Sequence, residues 1–466
     1  MFPEATAADT GDVIDRLKLL LDASIDAISV AAPDHLFSFS VAVDEDHLRP
    51  ALDRTGEDFY WYRPLDRVVL AGTGVAARFS TGGPARFRQI HKFHRALAAR
   101  WTRVGPSAAP GVAAFVGFAF DPESEPGPEW GDLENSMLVV PSLLFHRHGD
   151  RAALTFSATA RDLSDTPLSL DRWSGHLQRL TRPRVSPRPV LDGPVLEQAS
   201  IAETWHERVN QALTAIHSGA LDKVVLTRRV RLNSRHPLDC AGVMDFLDQR
   251  HDECAHFSIS RNGCTLLGVS PERLLAFADG RVVVDALAGT TPRGQNAEHD
   301  RRLGEALVTD PKVREEHGLV VEQIRAALAP VCAELDIPDV PSIMRLPQVQ
   351  HLWTPIAGRV AGDAGLLGIA ERLHPTPAVG GSPRQAATEW LAASGESGRG
   401  WYTGGFGWLD PEGNGELSVV LRCGLIHDTR VDLFAGAGIV ADSRPEQELA
   451  ETEWKLLTMQ GALRLG

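Results

Sequence analysis

Short runs of strand character, repeated at hairpin spacing, constrain this chain more than any other feature. Beyond residue 220 they fall at 223–232, 265–270, 274–278, 281–287, 402–409, 416–426 and 431–436. Apolar and β-branched runs bounded by Gly, Pro, Asn and Asp read as strands, and hairpin connections between them imply antiparallel pairing. Helical periodicity appears at 202–218, at 311–335 and in a last helix over 445–463. In 311–335, Val313, Val320, Ile324 and Leu328 share one stripe. The first 180 residues mix the same ingredients: an amphipathic helix at 11–29, then strands at 36–43, 68–71 and 112–120. The expected class is α+β, with antiparallel sheets flanked by helices. The proline-rich passage RPRVSPRPVLDGPV at 182–195 is the expected seam, dividing the chain into 1–195 and 196–466.

Composition narrows the function. A chain of 466 residues with 43% hydrophobic content has ample material for a core. Its 47 Lys and Arg against 61 Asp and Glu leave a charge of -14, which repels nucleic acid and requires a local cationic cluster for any anionic substrate. The cysteines at 240, 254, 264, 332 and 423 form no CxxC pattern, as expected for a reducing, cytoplasmic setting without a zinc site. No run approaches the ~20 apolar residues of a membrane span, and the N-terminus lacks a basic signal region.

Several residues could carry chemistry. Lys223 opens DKVVLTRRV, where strand alternation places it with Val225 and Thr227 on one face. Such a lysine is ordinarily a solvated charge; as a base it must be buried enough to titrate below ~10.4. Glu272 in GVSPERLLAF is either a turn residue paired with a neighbour or, if buried, a general acid raised above ~4.3. Glu316 lies four and eight residues before Val320 and Ile324 and so shares their apolar stripe. An inward carboxylate must be ion-paired, protonated or bound to metal. Glu448, Glu451 and Lys455 share one side of the last helix, where Glu451 and Lys455 also suit a surface pair of ~0.2–0.5 kcal/mol. One glutamate from each of two helices can hold Mg²⁺. The glycines of ALAGTTPRG and GAGIVADS allow backbone to approach a bound carboxylate.

Taken in order, DKVVLTRRV, SPERLL, ALAGTTPRG, REEHGLVVEQI, VQHLWTPIAGRV, LHPTPAVGGSPR, WYTGGFGWLD, ELSVVLRC and GAGIVADSRPEQELAETEWK resemble the chorismate-utilising enzymes. FYWYRPLDRVVLAGTGVA, VGFAFDPE and WGDLENSMLVVPSLLF extend the resemblance into the first half, toward the isochorismate synthase branch. The resemblance implies one large catalytic fold in which 1–195 is the less specific part and 196–466 binds chorismate. It implies Lys223 as the base that activates water and Glu272 as the acid for the departing C4 hydroxyl. Glu316 and Glu451 then correspond to Mg²⁺ ligands, supported by Glu448. His351, Tyr402, Arg422, Lys455 and the backbone of Gly289, Thr290, Gly436 and Gly438 correspond to substrate-binding groups.

Two positions discriminate within the family. Relatives that deliver ammonia carry glutamine where Lys223 stands, so Lys223 points to water as nucleophile and to a chain needing no glutaminase subunit. Relatives that attack the ring covalently carry a lysine where Ala288 stands. Ala286 and Leu287 replace the family's Pro-Ile, and Val313 leaves no carboxylate one turn before Glu316. The implied product is isochorismate, for menaquinone or siderophore biosynthesis. Salicylate synthase, which would go on to eliminate pyruvate, and a catalytically silent binding or scaffold protein are the alternatives.

Overall fold

The computed structural model describes residues 10–465 apart from 45–47, 50–51, 53–55, 107–110, 124–125, 182–197, 395 and 397. The proline-rich seam at 182–195 therefore lies outside the described residues. Two large sheets dominate. The first, of twelve strands, runs in the spatial order Gly381–Ser382, Lys223–Asn233, Arg430–Ile439, Cys423–His427, Cys264–Ser270, Ala255–Arg261, Asp58–Arg63, Val68–Thr73, Leu143–His148, Arg151–Thr159, Leu36–Val43 and Trp101–Val104. The second, of ten strands, centres on Val349–Val360, Arg281–Pro292, Arg273–Ala278, Gly415–Val419, Gly405–Leu409 and Ala114–Phe118. Strands from both halves of the chain thus complete both sheets. Pairing is antiparallel except that Leu36–Val43 runs parallel to Trp101–Val104, as the long connection between those two strands allows.

The sheets pack face to face through aromatic side chains. Phe59 stacks on Phe115 at 5.3 Å and Trp61 meets Phe406 edge-on at 6.3 Å. The outer face of the first sheet buries Val13, Leu17, Trp173, Met244 and Leu456 from helices. That of the second buries Ile90, Val320, Ile324 and Leu367. The result is helix, sheet, sheet, helix, the expected α+β class. No helix among the described residues is long and apolar enough to cross a membrane.

Four sequence expectations need correction. The amphipathic helix expected at 11–29 is two, Thr10–Asp22 and Ile25–Val30, parted by a turn at Ala23 and Ser24. The helix predicted over 311–335 ends at Leu328, and Cys332–Asp336 is a strand beside Val349–Val360; Pro330 cannot continue the helical hydrogen-bond ladder. The single strand expected at 416–426 is two, Gly415–Val419 in the second sheet and Cys423–His427 in the first. Between them the chain crosses from one sheet to the other, with Arg422 left-handed at φ 43°. Residues 402–404 are turn, so the strand expected at 402–409 begins at Gly405.

A second crossing runs beside the first. Cys264–Ser270 belongs to the first sheet and Arg273–Ala278 to the second, so Pro271 and Glu272 span the gap. The two crossings are stitched by Val419 N–H donating to the Glu272 carbonyl at 3.1 Å and Val269 N–H to the Arg422 carbonyl at 3.3 Å. Local strand logic thereby places an acid and a cation side by side at the seam between the sheets.

Candidate active site

A cleft lined by residues of both sheets opens at that seam. Lys223 enters it from the first residue of its strand and is 1% exposed. Its Nζ donates to Glu316 Oε1 at 2.8 Å. Glu316 reaches the cleft from the helix Pro311–Leu328, whose first turn is capped by Asp310 accepting from Val313 N–H at 3.1 Å. His317 fastens that helix through a 2.8 Å contact of its Nε2 with Thr354 Oγ1. Burial alone would raise the Glu316 carboxyl, but Lys223, with Lys455 and Lys312 nearby, brings it below the ordinary glutamate value.

Glu272, 4% exposed, lines the opposite chemical extreme. Desolvation, reinforced by the charge of buried Asp285, pushes its carboxyl up to about 8 against the attraction of Lys223 and Lys455. It is protonated at neutral pH.

The cationic side of the cleft centres on Arg422, which is 7% exposed. Its Nη2 donates to His351 Nε2 at 2.9 Å, leaving the His351 Nδ1 to face Thr290 Oγ1 at 3.1 Å. Burial, with Arg422 and Lys455 alongside, holds His351 well below the ordinary histidine range, so it is neutral and acts as a brace for the guanidinium. Lys455 Nζ bridges Glu451 Oε1 at 2.7 Å and the Gly436 carbonyl at 2.8 Å. Tyr402, its phenol raised by burial, stacks on Phe434 at 5.3 Å.

The glycines have specific tasks. Gly289 sits at φ 80° where the strand Arg281–Pro292 slips register against its neighbour, and a Cβ there would lie 2.4 Å from Val313 Cγ1. The bulge turns this stretch of backbone toward the cleft. A Cβ on Gly438 would meet Glu316 Oε1 at 2.7 Å and Lys223 Cε at 2.8 Å.

The structure therefore brings Lys223, Glu272, Gly289, Thr290, Glu316, His351, Tyr402, Arg422, Gly436, Gly438, Glu451 and Lys455 onto one cleft. Glu448 is the exception. It lies outside the cleft wall, 4% exposed, and its Oε1 accepts from Lys312 Nζ at 3.3 Å. Burial and then Glu451 raise its carboxyl, with Glu316 adding to the repulsion. Mutually repelling carboxylates, each braced by a lysine, suit a divalent cation. No three His, Cys, Asp or Glu side chains among the described residues already form a cage, whereas Mg²⁺ needs only one or two carboxylates with substrate and water oxygens.

Sequence reasoning missed the apolar wall made by Ala378, Val379 and Phe434, and also Thr403. Ala378 and Val379 lie in LHPTPAVGGSPR, whose Pro and Gly marked it only as a loop. Nothing local distinguishes Phe434 from any other inward strand residue.

A family model described as chorismate binding enzyme matches residues 25–464. The chain belongs to that family. The salicylate biosynthesis isochorismate synthase of Pseudomonas aeruginosa is 37% identical to this chorismate binding enzyme over 416 residues, 88% of this chain and 86% of that protein. The isochorismate synthase MenF of Bacillus subtilis is 33% identical over 430 residues, 88% of each. Among solved structures, the menaquinone-specific isochorismate synthase MenF of Escherichia coli aligns with a TM-score of 0.77 at 28% identity, covering 96% of this chain and 100% of that one. The family resemblance carried by the motifs is borne out, and with it the fold.

Proposed function

We propose that this protein is an isochorismate synthase, converting chorismate to isochorismate by adding water at C2 of the ring and releasing the C4 hydroxyl as water. The observation that carries the reading is the pairing, in one cleft, of buried Lys223 with a Glu272 that stays protonated at neutral pH. A proton acceptor facing a carboxyl that burial keeps protonated is what coupled water addition and hydroxyl departure require.

Chorismate is a dianion, and Arg422 and Lys455 supply the cationic patch that an acidic protein must concentrate locally. The backbone of Gly289, Thr290, Gly436 and Gly438 lies against the substrate carboxylates without intervening bulk, and Tyr402 offers its hydroxyl. Mg²⁺ between Glu316 and Glu451, with Glu448 supporting, would neutralise a substrate carboxylate and stabilise charge as the ring rearranges. Lys223 must first give up its own proton to solvent; as the neutral amine it then takes a proton from water as the water oxygen bonds to C2. Glu272 gives its proton to the C4 oxygen, the C4–O bond breaks, and the ring double bonds shift between the two centres. One water enters and one leaves, and the proton returns from Lys223 to Glu272 through solvent.

The lysine at position 223 and the alanine at 288 favour water over ammonia and over a covalent enzyme adduct, so the protein acts on chorismate without a glutaminase partner. Five free thiols fit the reducing cytoplasm. Relatives are named as menaquinone-specific, vibriobactin-specific and salicylate-biosynthesis isochorismate synthases, and we assign the product to menaquinone or siderophore biosynthesis.

Incubating the protein with chorismate and Mg²⁺, with and without EDTA, tests the reading by chromatography of products. Metal-dependent isochorismate is expected. Salicylate with pyruvate would move the assignment to a salicylate synthase, and no turnover by the intact protein would sink it.

A further inference from the structure

We infer that Arg399 is a positioning residue that holds three walls of the cleft at fixed separation from behind. The inference rests on the proposed reaction at that same cleft. Arg399 does not line the cavity, and its side chain is 3% exposed. Its Nη2 donates to the Val225 carbonyl at 2.6 Å, two residues along the strand from Lys223. Its Nη1 donates to the Val379 carbonyl at 2.6 Å and meets Thr403 Oγ1 at 3.5 Å. Val225, Val379 and Thr403 each face the cleft from a different segment.

Sheet pairing alone cannot fix this geometry. The strand Gly381–Ser382 pairs with the chain at Lys223 and Val224 only. Two further bonds, Asp222 N–H to the Ser382 carbonyl at 2.8 Å and Val225 N–H to the Gly380 carbonyl at 2.9 Å, flank that pairing, and the second ends the contact on the Val225 side. The next backbone acceptor, Val225 C=O, is taken by Arg399 instead of a strand, so a side chain extends the ladder where the backbone has turned away. The guanidinium reaches the two carbonyls and Glu396 from three separate nitrogens held in one plane, a spread of donors that the single nitrogen of a lysine does not reproduce.

Such a charge is tolerable in the interior only when fully paired. Arg399 Nε donates to Glu396 Oε1 at 2.5 Å. Glu396 in turn accepts from Thr227 Oγ1 at 2.6 Å and, through Oε2, from Arg208 Nη2 at 2.5 Å. Phe120 closes the assembly, its ring 4.2 Å from the guanidinium carbon. Thr227 lies on the Lys223 strand, so Glu396 ties the same strand a second time. The base, the apolar wall at Val379 and the Tyr402–Thr403 turn are thus indexed to one buried cation.

The test uses Arg399→Ala, Arg399→Lys and the near-isosteric Thr227→Val. Hydrogen exchange by mass spectrometry reads the tie without reference to activity. In Arg399→Ala, peptides covering 223–227 and 376–382 should exchange at least ~10-fold faster while the rest of both sheets keeps its protection. Thr227→Val should do the same more weakly in a fully folded protein, which covers the case that Arg399→Ala does not fold. Unchanged exchange in these peptides, or acceleration spread evenly over the molecule, would overturn the inference.

Kinetics then read the consequence. Because a misplacement of about 1 Å costs ~100-fold in rate, kcat for chorismate should fall by that order in Arg399→Ala. KM should move less than ~10-fold, since Arg422 and Lys455 are untouched, and added guanidinium should restore part of kcat. Arg399→Lys should not recover it. A folded variant with wild-type kcat, on an enzyme whose wild type turns chorismate over, defeats the inference and leaves the functional reading standing. Absence of turnover in the wild type defeats the functional reading, and the exchange data still decide the tie.

Discussion

Lys223 Nζ lies 2.8 Å from Glu316 Oε1, and Gly438 is the residue that lets the two meet. A methyl group at 438 would press on the tips of both side chains, at 2.7 Å from the carboxylate oxygen and 2.8 Å from Lys223 Cε. Tips of flexible side chains can swing aside at small cost to the fold, but the proposed base then leaves its place. Gly438→Ala should therefore lose at least ~100-fold in kcat/KM while its melting temperature falls by only a few degrees. Parallel turnover and thermal-melt measurements check this, and a wild-type rate would refute the alignment argued here.

Glu272 makes a pH prediction with a definite sign. Its folded-state value, about 8, lies above the ordinary 4.5, so the native protein binds the proton more tightly than the unfolded chain. Stability from this group is complete at low pH and declines as pH rises from about 4.5 to 8, with a slope of about 1.4 kcal/mol per pH unit. Glu272→Gln removes the ionisation. The variant should melt higher than wild type near pH 9 and convert no chorismate. In the wild type, kcat/KM should fall through an alkaline limb near pH 8 as the acid loses its proton.

How much of this was legible depended on whether the cause was local. Glu316 stands out because the 3.6-residue stripe acts within a few residues, whereas Lys223 reads locally as a solvated charge and takes its role from the family resemblance. The convergence of Lys223, Glu316 and Gly438 could not be read from periodicity, because three elements far apart in sequence must fold to create it; it came through the family resemblance alone. The crossing at Arg422 was misread as continuous strand, since the apolar run ELSVVL carries on up to the break. A non-glycine residue in the left-handed region leaves no mark in composition. Arg399 was invisible for a related reason. Its partners are backbone carbonyls, which every sequence supplies equally.

Arg422 and His351 form a directional pair, with the guanidinium donating to a neutral ring nitrogen at 2.9 Å. A lysine at 422 keeps the charge but not the planar fork that can hold His351 and a substrate carboxylate together. Arg422→Lys should raise KM for chorismate by ~10–100-fold, the scale of one charge-assisted hydrogen bond, with a smaller change in kcat. His351→Asn should shift KM in the same direction. Steady-state kinetics on both variants check the pairing, and an unchanged KM in Arg422→Lys would count against it.

The proposed metal site separates the three carboxylates by position. Glu316 and Glu451 face the cleft, whereas Glu448 sits behind it on Lys312. Calorimetric titration with Mg²⁺ alone should show binding abolished at millimolar metal in Glu316→Gln and Glu451→Gln. Glu448→Gln should weaken binding by only ~10-fold, the lower end of what an outer carboxylate contributes. Lys312→Met carries the argument one step further. Freed of its lysine, Glu448 repels Glu451 more strongly, and a bound cation relieves that repulsion, so Mg²⁺ affinity should rise above wild type. A fall in affinity would mean that Lys312 holds Glu448 in a binding-competent pose, and would place Glu448 among the direct ligands.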